Sequence, residues 1–202
     1  MTAKISIDQR LIGDDRHLLA IASLFEDNFS IDWIQELTGK KATEVLSGCE
    51  KAVADGILAR HGIGSFSFSN GKIRAGLQES LSPEERERTH RLIAAMLIKD
   101  LPDTAQKSTR LASHLLNIFN SIEGCGWLFQ AAKKYSFDFQ TEAALACYIK
   151  ILEDLSGLHQ EGTDQLFCDA AIEYAKLNTA RNDVKKVLSI LEEAMLRAKN
   201  IK

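Results

Sequence analysis

The chain has 202 residues, enough for one large domain or two small ones with cores of their own. Its 45% hydrophobic content is ordinary for a globular protein, and a net charge of -3 leaves out the basic excess by which dedicated nucleic-acid binders neutralise phosphate. Only two prolines, Pro83 and Pro102, and 7% aromatic residues favour long helices over a many-stranded sandwich with its frequent turns.

From Asp14 onward Leu18, Leu19, Ile21, Ala22, Leu24 and Phe25 recur at three- and four-residue spacing, which predicts a helix. Asn28-Phe29-Ser30 interrupts it. Ser30 is a good N-cap for a second helix over 31–37, which Gly39 ends. A third helix is predicted from about Lys41 to Ala54, with Val45, Leu46, Cys49 and Val53 on its apolar side and Asp55-Gly56 as its breaker. Two short apolar stretches follow, 57–60 and 65–69, joined by His61-Gly62-Ile63-Gly64. Phe66 and Phe68 alternate with serines, so this segment predicts a small β-hairpin with one buried face. Three helices and a hairpin are the order of a winged helix-turn-helix, here expected over residues 1–80.

No further strand signal follows. A short helix over 71–81 leads into Ser82-Pro83-Glu84-Glu85, a capping-box start for a helix that runs to about Lys99 and stops before Pro102. Another is predicted over 104–119, striped by Leu111, Leu115, Ile118 and Phe119. The remainder reads as two helix pairs, 126–135 with 142–152 and 167–175 with 184–194. Small residues stand where two helices must approach, and the pairs are offset by roughly 40 residues, in the range of helical-repeat arrays. The fold class expected is mostly α: a winged helix-turn-helix domain with a small β-hairpin, then an all-helical domain of tetratricopeptide-like hairpins over 81–202, capped by the helices before it.

Three stretches carry a family likeness. They are Leu18-Leu19-Ala20-Ile21-Ala22-Ser23-Leu24-Phe25 with Phe29-Ser30 and Ile34-Gln35-Glu36-Leu37-Thr38-Gly39; then Phe66-Ser67-Phe68-Ser69-Asn70 with Ile73-Arg74 and Leu77 to Ser82; then Glu84 to Ala94. Together they resemble the region after the nucleotide-binding domain in bacterial signal-transduction ATPases of the STAND type, maltose-regulator-like transcription activators among them. The resemblance implies a winged helix acting as a regulatory arm on an ATPase domain, and a helical array that binds a protein or an inducer. It implies neither catalysis nor a cofactor for these residues. Asn70 stands where family members often carry a histidine, so that residue's nucleotide-sensing role is not carried over. The ATPase itself is missing from the sequence. Gly39-Lys40 is the nearest approach to a P-loop, but Ile34 stands at the required glycine and Lys41 replaces Ser or Thr.

Taken by themselves, the titratable residues point away from chemistry. Cys49, Cys125, Cys147 and Cys168 are widely spaced, with no close thiol pair for zinc, and read as buried free thiols in a reducing compartment. The five histidines are scattered, no GxSxG is present, and His114 amid Leu111, Leu115 and Leu116 reads as a core histidine. Glu84, Glu85 and Glu87 belong to a solvated first turn, where the helix dipole favours acids. Met1-Thr2-Ala3-Lys4 opens no signal peptide, and no apolar run nears the ~20 residues that span a bilayer, so a cytoplasmic protein is expected.

Two binding surfaces remain. The densest aromatic group supplies a candidate partner groove of Trp127, Phe129, Lys134, Tyr135 and Phe139, set against the plainer reading of packing between helix pairs. As the alternative function, a DNA-binding regulator with a sensing or dimerising helical domain would use Lys40, Lys41, Arg60 and Lys72. Residues 1–80 hold nine Lys or Arg against eleven Asp or Glu, which counts against it.

Overall fold

The computed structural model describes residues 14–178, 184–199 and 201. The chain divides into two compact units, Met1–Met96 and Leu97–Lys202.

In the first unit the order is α1 (Asp14–Ala22), β1 (Phe29–Ser30), α2 (Ile31–Thr38), α3 (Ala42–Ala54), β2 (Leu58–Arg60), β3 (Ser65–Phe68) and α4 (Gly71–Glu79), followed by the start of α5 (Pro83–Asp100). The caps lie where the sequence puts them. The Ser30 hydroxyl accepts from the Trp33 amide at 3.2 Å, and Gly39 closes α2 in the left-handed region at φ 68°. At the head of α5 the Ser82 hydroxyl accepts from the Glu85 amide at 3.2 Å, while the Glu85 carboxylate accepts from the Ser82 amide at 3.0 Å.

The sheet differs from the expected hairpin. It has three antiparallel strands in the order β1-β3-β2, because Phe29 pairs with Phe66 across sequence distance as well as β2 pairing with β3. A two-residue strand has no periodicity to detect, and its partner lies far along the chain. The core explains why it forms. Phe29 is buried with its ring centroid 6.3 Å from Phe66 and 6.2 Å from Phe68, and Phe25 stacks on Trp33 at 5.5 Å. Helix α4 is tied back by Arg74, which donates to the Phe25 and Glu26 carbonyls, and by Gln78, which donates to the Ser23 carbonyl at 2.6 Å.

The second unit begins with the last turn of α5. It continues with α6 (Ala105–Leu115), α7 (Ile122–Phe137), α8 (Thr141–Asp154), α9 (Glu161–Asn178) and α10 (Val184–Ala198). Consecutive helices pack on one another, and α7 also touches α9. The two predicted helix pairs are present as α7–α8 and α9–α10. Ala131-Ala132 in α7 and Ala170-Ala171 in α9, 39 residues apart, are fully buried at matching positions where the helices approach closely.

Each pair is also closed by a polar clasp from the last turn of its second helix to the loop before its first. In α8 the buried Asp154 carboxylate accepts from the Asn120 amide at 3.2 Å and from Asn120 Nδ2 at 2.6 Å, and Lys150 donates to it at 2.8 Å. In α10, 43 residues on, Arg197 reaches the loop before α9. It donates to the Leu158 carbonyl at 2.9 Å and the Leu155 carbonyl at 3.2 Å, with its guanidinium 3.8 Å over the Phe167 ring. The two clasps use different chemistry at equivalent places.

Candidate interaction surface

The five residues of the predicted groove do not face one way. Trp127 is half-buried toward α6, with the Lys107 ammonium 4.9 Å above its ring, and the Tyr135 hydroxyl donates to the Thr109 carbonyl at 3.3 Å. Two residues on from Trp127 the helix has turned about 200°, so Phe129 points the other way, edge-on to the buried Tyr148 of α8 at 5.8 Å. Lys134 pairs with Asp138 and lies 5.8 Å over Phe137. Only Phe139 projects outward, 92% exposed and held at φ 59° in the turn between α7 and α8. Trp127, Phe129 and Tyr135 thus serve packing between helices.

An outward surface exists nonetheless. On α7, Gln130 and Lys133 are exposed and Phe137 is 80% exposed, beside Phe139. The positions 39 residues on in α9 are Asp169, Ile172 and Lys176, of which Ile172 and Lys176 are exposed and Asp169 half-buried. Since α7 touches α9, these residues belong to one side of the array: apolar points among both signs of charge. Phe137 belongs to the aromatic group read from the sequence, but its exposure and that of Ile172 were not legible there, because helical periodicity locates an apolar face but does not reveal which of two faces a neighbouring helix will cover.

Buried polar groups in this unit secure geometry. Lys107, 3% exposed, donates to the Ile98 carbonyl at 2.6 Å, the Leu101 carbonyl at 2.8 Å and Asp103 at 2.7 Å, which caps the C-terminal end of α5 with a cation. The four cysteines are all buried free thiols. Burial pushes Cys147 up to about 12; burial and then Asp154 raise Cys125 to about 12; burial and then Asp15 raise Cys49 to about 11. A nucleophilic or metal-binding thiol needs the opposite shift, so these cysteines act as small apolar fillers. Among the described residues no group of three or more His, Cys, Asp or Glu is placed to hold a metal, and no helix is long and apolar enough to cross a membrane. His114 is buried, as its neighbours indicate.

In the first unit two of the four candidate DNA contacts, Arg60 and Lys41, engage acids. Arg60 pairs with Glu50 of α3 and lies 5.7 Å over the Phe66 ring. Glu44 accepts from the Lys41 amide at 3.3 Å, and Lys51 pairs with Asp15 at 3.2 Å. Lys40 is half-buried before α3, and Lys72 is exposed in the first turn of α4, on a different element. These residues form no cationic stripe along α3, and the duplex-binding alternative gains nothing from the geometry.

No family model and no curated protein matches the chain. Among solved structures it is similar to a Signal Transduction ATPase with Numerous Domains (STAND) protein with a tetratricopeptide repeat sensor from Pyrococcus horikoshii. The likeness covers 99% of this chain with a TM-score of 0.52 at 15% identity, and this chain spans 35% of the length of that one. It is a likeness of fold: a mostly helical chain with a small three-stranded sheet, consistent with a tetratricopeptide-like helical region.

Proposed function

We propose that this chain is a regulatory interaction segment of the STAND signal-transduction type, without chemistry of its own: a winged-helix arm over residues 1–80 and a tetratricopeptide-like array over 81–202. The observation that carries this reading is the likeness of nearly the whole chain, both units together, to a STAND protein with a tetratricopeptide sensor. The order α1-β1-α2-α3-β2-β3, with β3 central in its small sheet, supports the winged helix. The four buried unpaired thiols suit a reducing cytoplasm.

The array takes a protein partner, either an adjoining ATPase domain or a separate chain. The partner docks on the outward side of α7 and α9, with Phe137, Phe139 and Ile172 as apolar points and Lys133 and Lys176 around them. Of the aromatic group read from the sequence, Trp127, Phe129 and Tyr135 act by holding α7 in place, and Phe139 acts by contact. Regulation then follows from a difference in contacts between two states of the partner. The test is photo-crosslinking in cells, with a benzophenone amino acid at Phe137 or, as control, at the fully exposed Ile63 between β2 and β3. A discrete protein adduct from position 137 that is missing from position 63 is expected. Equal or absent labelling at both positions contradicts the reading.

A further inference from the structure

In the second unit a cleft of about 410 Å3 opens between α8, the end of α9 and the start of α10. Its wall is one face of α8, formed by Leu145, Ala146 and Ile149. Its floor is polar. Tyr174 and Asn178, 3% and 7% exposed, lie one turn apart on α9, and Asn178 Nδ2 donates to the Tyr174 hydroxyl at 3.1 Å. At its mouth stand two exposed charges, Glu142 of α8 and Lys186 of α10. The preceding repeat offers a contrast. Tyr135, 39 residues before Tyr174, donates its hydroxyl across to the Thr109 carbonyl of α6 at 3.3 Å and so ties α7 to the helix before it. The Tyr174 hydroxyl is instead engaged by Asn178 of its own helix, and the small Ala146 stands in the facing wall of α8.

We infer that this cleft binds a free α-amino acid with an aliphatic side chain. A ligand set between one carboxylate and one ammonium is held best when it carries both charges, its ammonium toward Glu142 and its carboxylate toward Lys186. A ligand of single charge meets a like charge at one side of the mouth. A purely apolar one strips water from the polar floor without replacing its hydrogen bonds. The aliphatic wall takes the ligand's side chain, and the buried Tyr174 and Asn178 supply the few polar atoms that fix orientation in such sites. The volume lies toward the lower end of small-molecule sites, roughly 300–1,000 Å3, with room for one amino acid. The cleft uses the buried side of α9, whereas the partner surface uses the exposed Ile172 and Lys176, so either assignment can fail without the other.

Equilibrium dialysis of the purified full chain against radiolabelled L-leucine, L-isoleucine or L-valine tests it. Saturable binding with a Kd below about 1 mM is expected for at least one of the three. The N-acetyl and amide derivatives of the bound amino acid lack the ammonium and the carboxylate respectively, and each is expected to compete at least tenfold more weakly than the parent. E142Q and K186Q are each expected to weaken binding at least fivefold. A146F, which sets a ring in the cleft from an exposed position, is expected to abolish binding with an unchanged far-ultraviolet CD spectrum. No binding of any of the three up to about 10 mM overturns the inference, as does unchanged affinity in A146F or in both charge variants. Competition by either blocked derivative as strong as that of the parent overturns the zwitterion as the ligand class.

Discussion

Removal of the Arg197 side chain measures what holds the second helix pair closed. The guanidinium is 1% exposed and the Asp164 carboxylate it faces at 3.4 Å is 2% exposed. In Arg197→Ala the Leu155 and Leu158 carbonyls keep other donors, from the Leu158 amide at 3.1 Å and the Thr163 hydroxyl at 3.3 Å. Asp164 is worse placed, since the remaining cationic candidate is the exposed His159 at 3.7 Å, which is charged only when protonated. The dominant cost is thus an uncompensated buried carboxylate, to which the lost stacking on Phe167 adds. Breaking such a pair from one side costs about 3–5 kcal/mol. The chain has two tryptophans, Trp33 in the first unit and Trp127 in the second, so W33F makes fluorescence report on the second unit alone during urea unfolding. Arg197→Ala is expected to lower its stability by that amount. Arg197→Ala with Asp164→Ala together is expected to cost at least about 1 kcal/mol less than the sum of the singles. A loss under about 1 kcal/mol, or additivity of the two changes, refutes the assignment of Arg197 as the clasp.

Three further outcomes are expected. Burial, and then the Arg86 charge, lower the His90 pKa to about 4, so protonation favours the unfolded chain. The first unit should therefore hold full stability above pH 6.5 and lose about 3 kcal/mol as pH falls from about 6.5 to about 4, and His90→Gln should flatten that slope in urea titrations followed by Trp33. Lys107→Met leaves the Ile98 and Leu101 carbonyls without their cation and uncovers the Trp127 ring; a loss of about 2 kcal/mol and a shifted Trp127 emission maximum are expected from fluorescence-monitored unfolding. Gly124→Ala sets a methyl 3.0 Å from Asn120 Cβ and Oδ1, inside the Asp154 clasp, and should lower the thermal midpoint of the second unit by the equivalent of about 1–3 kcal/mol.

What the sequence made legible was local. Ser30, Gly39 and Ser82 bound their helices because each acts on backbone groups within four residues, and the Ala-Ala pairs at 131 and 170 reveal close helix approach at a repeat distance. The rest needed tertiary partners. Phe29 becomes a strand only because Phe66 is there to pair with it. The aromatic cluster of α7 divides among two helix interfaces and an outward surface, a division set by the positions of α6 and α8. Arg197 reads as an ordinary last-turn cation until the loop at Leu155 and Leu158 closes over it. A repeat alignment at 43 residues would have set it opposite Asp154, but a basic and an acidic residue give no visible kinship at that position.

The most direct test of the regulatory reading is the native species that carries this chain, isolated from its source cells with an antibody against the second unit and assayed for ATP turnover. One of two forms is expected. The chain is joined to a nucleotide-hydrolysing module in a polypeptide heavier than 22.4 kDa, or it holds such a module as a bound partner. In either form turnover should change at least fivefold when Phe137 and Ile172 are replaced by glutamate. A 22.4 kDa chain that neither contains nor binds an ATP-hydrolysing protein contradicts it.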